Sequence, residues 1–430
     1  MSEKKPSIAT AVQQHLAQRF RITRVYMLTG LVFLGPAWIS LIHASVAISQ
    51  NEWHHPSFLA AIHLFVVGFA LTVVYGAIVQ IVPVVFQGRL YSIRLGYVQY
   101  MFTVLGACSF PVGFLAEKWN VVAAGGCLVL VSFVLLCWNL GQSIRTLKKR
   151  TEALGITATF LFLLITVILG IGMSLGASLG NRSAWSIHII VGVTGWFTTL
   201  ILSLTPRLMS FFVSSHYKKL RHSKPEFLFL GGMLAVVAGT ALKDEGMGVS
   251  VAVGLSVGGW IVYGWGYFQL LMNLYIHFRR RRRQDVEWIL NWIVAGLYGG
   301  FPVLGIWAIA SSRLGDRWTL AVMMVLIFGF LQWCIAAYMA KIMPFLRRAG
   351  RYPHGTAPET DRGSRKRPPA IRDMIPKTPT VTALLGYATG AIFLLTGVLI
   401  GQAAFTLAGA IVGTVAWILY VAAMVIMYQR

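Results

Sequence analysis

Twelve long runs of apolar residues dominate this chain of 430 residues. A run of about 20 mostly apolar residues can cross a bilayer as an α-helix, and the helix satisfies every backbone polar group within the lipid. With 57% hydrophobic and 12% charged residues, the chain lies outside the range of soluble globular domains. We therefore predict an all-α, polytopic membrane protein. The predicted spans are 25–49, 57–86, 95–116, 120–144, 154–179, 183–213, 225–242, 246–276, 288–311, 317–346, 381–403 and 406–428.

The basic residues indicate how these spans are oriented. Lysine and arginine total 37 against 13 acidic residues, and they lie in short gaps between apolar runs rather than on one face of a soluble fold. With the N-terminus in the cytoplasm, 32 of the 37 fall on the cytoplasmic side, and this asymmetry is typical of membrane topology. We expect a plasma (inner) membrane protein with both termini cytoplasmic, the lipid bilayer as its surroundings and no nucleic-acid partner.

The second, sixth and tenth runs resemble one another. Each is unusually long, enters from the outer side and reaches a proline near the inner face, at Pro83, Pro206 and Pro344. The spacing of 123 and then 138 residues divides the twelve spans into three pseudo-repeats of four helices. The predicted units are a cytoplasmic N-terminal segment 1–24, the repeats 25–150, 151–283 and 284–430, and a basic cytoplasmic loop 348–377 within the third repeat.

Two histidines occupy similar depths in the second and sixth spans. His63 lies about two helical turns from the outer end of its span, and His188 lies at nearly the same depth in its own. Ionisable residues within a membrane are costly and usually face the bundle interior, where they mark functional sites. Imidazole suits both heme iron and copper. The other interpretation of His63 is a buried histidine that is satisfied by a hydrogen bond.

Three further histidines fall on the same side of the membrane. His43 is near the outer end of the first span, and His54 and His55 are in the short loop that follows. An outer cluster of this kind can bind copper or heme during delivery, although adjacent loop histidines are more often solvent-facing. His43 is therefore a candidate metal ligand beside His188.

The threefold pattern with His63 and His188 resembles the catalytic subunit of the heme-copper oxidase superfamily, cytochrome c oxidase subunit I, and the related NnrS family. These proteins have twelve helices in three pseudo-equivalent arcs, with both termini inside. Their metal-ligand histidines lie on the second, sixth, seventh and tenth helices near the outer face. The resemblance covers the architecture of residues 20–430, whereas as a motif it rests on His63, Gly68, Pro83 and His188.

The resemblance implies roles for individual residues. His63 matches the axial ligand of the low-spin heme, and His188 matches the copper ligand of the sixth helix. The tenth span has Met324, twenty residues before its proline, where the family has histidine. A thioether can serve as an axial heme ligand, so a heme held by His63 and Met324 is one possibility, and methionine as an apolar filler is the other.

The seventh span lacks the paired histidines of the family. The resemblance therefore implies a b-type heme, with copper the less favoured cofactor, and argues against a complete terminal oxidase. All thirteen acidic residues lie in loops or at span ends, which disfavours proton pumping and proton-coupled transport through a buried carboxylate.

Three functions are open at this point. The first is a heme-binding relative of the oxidases that lacks the oxygen-reducing centre and works in electron transfer, nitric oxide or metal stress response, or oxidase assembly, beside other respiratory membrane subunits. The second is a transporter or carrier of heme, metal or lipid, for which two six-helix halves are the usual arrangement. The third is a non-catalytic scaffold subunit.

Overall fold

The computed structural model describes residues 8–85, 89–144, 150–176, 182–213, 224–244, 249–281, 286–351 and 369–430. All regular structure in these residues is helical, which confirms the all-α prediction. Twelve helices are long and apolar enough to cross a membrane, as predicted. The predicted repeat boundary at 283 and most of the loop 348–377 lie outside the described residues.

The spanning helices are numbered α1 to α12 in chain order. They are α1 (Ile8–His43), α2 (Pro56–His63, Leu64–Leu71 and Thr72–Val85), α3 (Ile93–Leu115), α4 (Trp119–Ile144), α5 (Arg150–Ser174), α6 (Arg182–Ile190, Val191–Thr198 and Thr199–Phe212), α7 (Pro225–Asp244), α8 (Val249–Arg279), α9 (Trp288–Arg313), α10 (Asp316–Met324, Val325–Leu331 and Gln332–Arg351), α11 (Lys377–Ile400) and α12 (Ala403–Gln429). Two short helices, Ser45–Ser49 and Ile371–Met374, lie in the connections. We call the end of the bundle at which α1 begins and α12 ends the basic end, and the opposite end, near His63 and His188, the histidine end.

Some helices begin or end at residues other than the ends of the predicted spans. Helix α1 begins at Ile8 rather than at residue 25, because no proline interrupts the polar segment that precedes its apolar part. Helix α6 ends at Phe212, next to the predicted end at 213, whereas α10 ends at Arg351, beyond the predicted end at 346; both helices continue past their prolines, Pro206 and Pro344. Membrane helices tolerate proline because neighbouring groups replace the lost hydrogen bond.

Three helices form the interior of the bundle. In their apolar windows, 67% of α2, 78% of α6 and 89% of α10 is buried, against at most 50% in any of the other nine. These are the same three helices that the sequence pattern groups together. The inner helices contact each other directly through Phe65 and Phe328, whose ring centroids are 4.8 Å apart, and through the hydroxyls of Thr205 and Tyr338, 2.6 Å apart.

The other nine helices surround these three in chain order. Helix α4 packs on α5, α8 packs on α9, and α12 returns to pack on α1. The indole nitrogen of Trp417 in α12 donates to the carbonyl of Leu31 in α1 at 2.9 Å, and the indole of Trp38 in α1 lies on Gly413 in α12. The last four-helix unit therefore closes directly onto the first.

Each predicted unit ends in a helix hairpin with a pair of facing glycines. The pairs are Gly106 with Gly125, Gly232 with Gly259, and Gly390 with Gly409. A methyl group on either member of a pair would lie 2.6 to 3.3 Å from the carbonyl oxygen of the other. Small residues allow membrane helices to approach closely. The shared feature supports the predicted threefold repeat, which stays a prediction.

The contact between α12 and α1 gives a first testable prediction. Replacing Gly413 by alanine places a methyl group inside the indole ring of Trp38, which is fully buried. We expect the free energy of unfolding to fall by about 1 to 3 kcal/mol, as for other overpacked cores, in a denaturant titration of the purified protein. The matched control is Gly264→Ala in α8, where nothing lies within 4 Å, and this variant should be neutral or slightly stabilising. Equal stability of the two variants would contradict the prediction.

Candidate functional site

The three inner helices share a rare backbone feature. Each contains one π-helical segment, Leu64–Leu71 in α2, Val191–Thr198 in α6 and Val325–Leu331 in α10. The fifth residue of every segment is a glycine, and an aromatic residue follows it: Gly68 with Phe69, Gly195 with Trp196, and Gly329 with Phe330. π-Helical turns are uncommon and frequently mark functional sites.

Threonine hydroxyls support two of these segments in the same way. Thr72 donates to the carbonyl of Val67 at 3.1 Å, and Thr199 donates to the carbonyl of Thr194 at 2.9 Å. In both helices the threonine lies four residues after the glycine of the segment, and the accepting carbonyl belongs to the residue just before that glycine. The hydroxyl thus reaches five residues back, to a carbonyl in the widened segment.

His63 is the last residue before the π-helical segment of α2. Its Nδ1 is 2.9 Å from the carbonyl oxygen of Leu59, one turn earlier in the same helix. Its ring lies beside two rings of α3, with centroid distances of 5.1 Å to Phe110 and 4.7 Å to Phe114. The imidazole is therefore fixed in direction by one hydrogen bond and two aromatic contacts.

His188 lies three residues before the π-helical segment of α6. Its Nδ1 is 2.9 Å from the carbonyl oxygen of Thr166 in the neighbouring helix α5. The ring lies over Gly170, one turn further along α5, where a methyl group would come within 3.0 Å of its Cε1. The glycine thus provides the room that the imidazole occupies.

The structure places His63 and His188 at the same end of the bundle. Each lies on an inner helix, at or shortly before the start of the π-helical segment of that helix. Each side chain is partly buried. The two imidazoles therefore belong to two of the three inner helices at the histidine end, and each packs against a different neighbouring helix.

The loop between α1 and α2 reaches over this region. The ring of His54 lies 4.8 Å from the indole of Trp185, at the start of α6. His43, a predicted metal ligand, is the exposed last residue of α1, and no described contact joins it to His63 or His188. The loop thus links the first repeat to the second, whereas His43 is not part of the histidine pair.

Met324, the other predicted heme ligand, is fully buried at the start of the π-helical segment of α10. In α2, Phe65 points towards Phe328 of α10, whereas His63 contacts rings of α3. His63 and Phe65 are two positions apart, and residues with this separation lie on roughly opposite sides of a helix. His63 therefore faces away from α10. The described contacts therefore do not bring Met324 to His63, and their pairing stays a prediction.

A metal site of three protein ligands is not found in the described part of the chain. No group of three or more histidine, cysteine, aspartate or glutamate side chains there is arranged to hold a metal ion. The two imidazoles are the metal-ligating groups that lie on inner helices at the histidine end. Imidazole nitrogen is a suitable ligand for heme iron and for copper.

The basic end contains a buried ion pair that the sequence interpretation assigned to a loop. Lys341 of α10 pairs with Glu287 at the start of α9, and the two side chains are each 7% exposed. The ammonium group of Lys341 also lies over the ring of Phe212 at the end of α6, 5.2 Å from its centroid. Hydropathy places Lys341 at a span end, and only the tertiary structure reveals that α6, α9 and α10 enclose it.

The residues that hold the histidine pair were not predicted. Phe110, Phe114, Thr166 and Gly170 are ordinary residues of apolar helices and carry no local signal. The glycine of each π-helical segment was detectable, because aligning the long spans on glycine rather than on proline places His63 and Met324 each five residues before it. Comparison with protein-family models and with curated proteins gives no match to this chain.

Proposed function

We propose that this multi-pass membrane protein binds one heme through His63 and works in electron transfer. In this proposal it is related to the catalytic subunit of the heme-copper oxidases but lacks the full oxygen-reducing centre. The observation that carries the proposal is the pair of imidazoles, His63 and His188, supplied by two of the three inner helices at the same end of the bundle.

The hydrogen bonds of the two histidines support ligation. A carbonyl oxygen accepts only, so Nδ1 of each ring must be the protonated nitrogen that donates to Leu59 or Thr166. Each Nε2 then carries a free lone pair, which is the atom that binds a metal. A backbone carbonyl bonded to the other ring nitrogen is the usual way in which proteins orient a metal-binding histidine.

His188 is the better second ligand on geometric grounds. It lies at the same end of the bundle as His63, whereas Met324 is fully buried on a helix from which His63 faces away. When bound, the heme would be held by His63 and His188 and would supply one-electron redox chemistry, which favours electron transfer as the function.

The rest of the proposal concerns location and partners. The excess of Lys and Arg at the basic end favours the cytoplasm for that end, with the histidine end on the outer side of a plasma (inner) membrane. A protein that only transfers electrons needs a donor and an acceptor. Respiratory membrane subunits are the proposed partners.

An absorption spectrum of the purified full-length protein tests the proposal. The expected result is a Soret band with sharp α and β bands on reduction, typical of a six-coordinate, low-spin heme. The spectrum is recorded for the protein as isolated and again after addition of hemin. Incomplete incorporation of heme in the expression host therefore does not decide the outcome. A protein that shows no Soret band in either case would overturn the proposal.

Substitution of Gly170 tests the placement of His188. A methyl group on Gly170 would lie 3.0 Å from Cε1 of His188 and push the ring from the Thr166 carbonyl. We expect Gly170→Ala to weaken heme binding about tenfold and to raise the high-spin fraction in the absorption spectrum, as loss of outer-sphere support does at other metal sites. Gly231→Ala in α7, where nothing lies within 4 Å, is the control. An unchanged spectrum of Gly170→Ala would remove His188 from the ligand set.

A further inference from the structure

A second polar region lies between α1 and α2 at the basic end. The two helices pack closely there, because Gly76 of α2 faces Tyr26 and the backbone of Thr23 in α1. Arg19 is one turn from Thr23 towards the basic end, and Gln80 is one turn from Gly76 in the same direction along α2. The helical register therefore brings Arg19, Thr23 and Gln80 to one level of the α1–α2 interface.

Each of these three side chains is buried and has one polar atom that lacks a hydrogen-bond partner. Arg19 is 5% exposed, Thr23 is 0% exposed and Gln80 is 7% exposed. Within the described residues, Nε of Arg19, Oγ1 of Thr23 and Oε1 of Gln80 are enclosed and form no hydrogen bond. A buried charge or polar group without a partner is costly, so native proteins pair such groups or fill the space with a ligand or water.

The surroundings of Arg19 are basic and aromatic. The ion pairs of the described residues join Lys341 to Glu287 and Arg372 to Asp373, and neither pair includes Arg19. Phe20, beside Arg19, contacts Phe345 of α10 with a centroid distance of 6.2 Å, and α10 continues into Arg347. The guanidinium of Arg347 lies 5.1 Å from the ring centroid of Tyr428. This end of the bundle therefore attracts anions, and Arg19 is a buried cation there, in addition to the already paired Lys341.

The geometry points to a phosphate-binding site formed by Arg19, Thr23 and Gln80. The guanidinium group supplies a planar fork of N–H donors that matches phosphate oxygens, and the Thr23 hydroxyl supplies a further donor. Gln80 presents an N–H by rotating its amide half a turn, because its oxygen and nitrogen are interchangeable in position. The phosphate is either the headgroup of an anionic phospholipid or free inorganic phosphate, since the chemistry of recognition is the same.

The site is independent of the proposed heme function. It lies at the basic end, whereas His63 and His188 lie at the histidine end, and none of its three residues contacts either histidine in the described structure. Loss of phosphate binding and loss of heme binding are therefore separate outcomes, each of which can fail without the other.

Native mass spectrometry of the full-length protein in detergent tests the site. The probes are phosphatidylglycerol, phosphatidylcholine as the neutral lipid, and inorganic phosphate compared with chloride at equal ionic strength. We expect tight retention of one phosphatidylglycerol, weakened about tenfold or more in Arg19→Gln, since hydrogen bonds to a charged group contribute on that scale. The matched control is Arg21→Gln, two residues along the same helix and exposed, which should change retention less than about twofold.

The arms of the experiment separate the two sources of phosphate. Retention of phosphatidylglycerol that inorganic phosphate does not displace identifies a lipid headgroup. Thermal stabilisation by inorganic phosphate that Arg19→Gln loses identifies free phosphate. Equal behaviour of Arg19→Gln and Arg21→Gln towards both probes, or no binding of either probe, would overturn the proposal.

A second pair of variants keeps the test valid if Arg19→Gln does not fold. Arg19→Lys keeps the positive charge but loses the fork of donors, and Arg21→Lys is its control. We expect Arg19→Lys to bind the same probe several-fold more weakly than wild type, with Arg21→Lys unchanged. Wild-type retention by Arg19→Lys would contradict recognition by the guanidinium fork.

Discussion

We expect replacement of His63 by alanine to abolish the Soret band predicted for the purified protein and to leave its helix content unchanged. The imidazole is the proposed axial ligand, and its Nδ1 bond to Leu59 lies within one turn of the same helix, so its removal breaks no contact between helices through that bond. The lost packing against Phe110 and Phe114 should cost about 1 to 2 kcal/mol, too little to unfold a twelve-helix bundle. The measurements are the absorption spectrum with added hemin and circular dichroism.

Three further variants assign the ligands. His43→Ala removes an exposed histidine at the same end and should leave the spectrum unchanged. His188→Ala should retain weakly bound, high-spin heme, whereas Met324→Ala should retain the low-spin spectrum. The opposite result for these last two variants would restore the pairing of His63 with Met324. A full Soret band in His63→Ala would contradict His63 as a heme ligand.

Loss of Lys341 has the largest expected effect on stability. In the variant Lys341→Ala, the buried ion pair with Glu287 is lost, and Phe212 loses the cation over its ring. Breaking a buried ion pair from one side typically costs about 3 to 5 kcal/mol, because the remaining charge stays desolvated. We expect a decrease of this size in the free energy of unfolding, measured by denaturant titration in detergent.

The double variant Lys341→Met with Glu287→Gln separates the ion pair from simple packing. It removes both charges while keeping side chains of similar length, so it should recover much of the stability that Lys341→Ala loses. Lys377→Ala, an exposed lysine at the start of α11, is the control and should change stability by less than about 0.5 kcal/mol. A double variant no more stable than Lys341→Ala would contradict this explanation, because neither the charge left on Glu287 nor the lost side-chain volume would then account for the loss.

Hydropathy predicted the number and order of the helices because every span must be long and apolar enough to cross the bilayer. It could not predict where helices begin outside the lipid, and α1 therefore starts at Ile8 instead of residue 25. Lys341 illustrates a second limit. It lies near the end of the predicted span 317–346, and its burial depends on Glu287 and Phe212, which are distant in sequence.

The candidate site shows the same division between local and tertiary information. His63 and His188 were predicted because an ionisable residue in an apolar helix is visible in the sequence. The hydrogen bond of His188 to Thr166 follows from how α5 and α6 pack, which no local pattern encodes. Met324 was selected because it lies as far before Pro344 as His63 lies before Pro83. This count does not determine which face of α2 carries His63, and the contact of Phe65 with Phe328 indicates that His63 lies on the other face.

The contact of α12 with α1 has a consequence for chain connectivity. Because the last helix lies against the first, and the described ends of these two helices, Ile8 and Gln429, are at the basic end, the helices around the interior form a closed ring. A linker that joins α12 to α1 would therefore leave the neighbours of every helix unchanged when the backbone is opened at another connection at the basic end. The helix order is in this sense compatible with circular permutation.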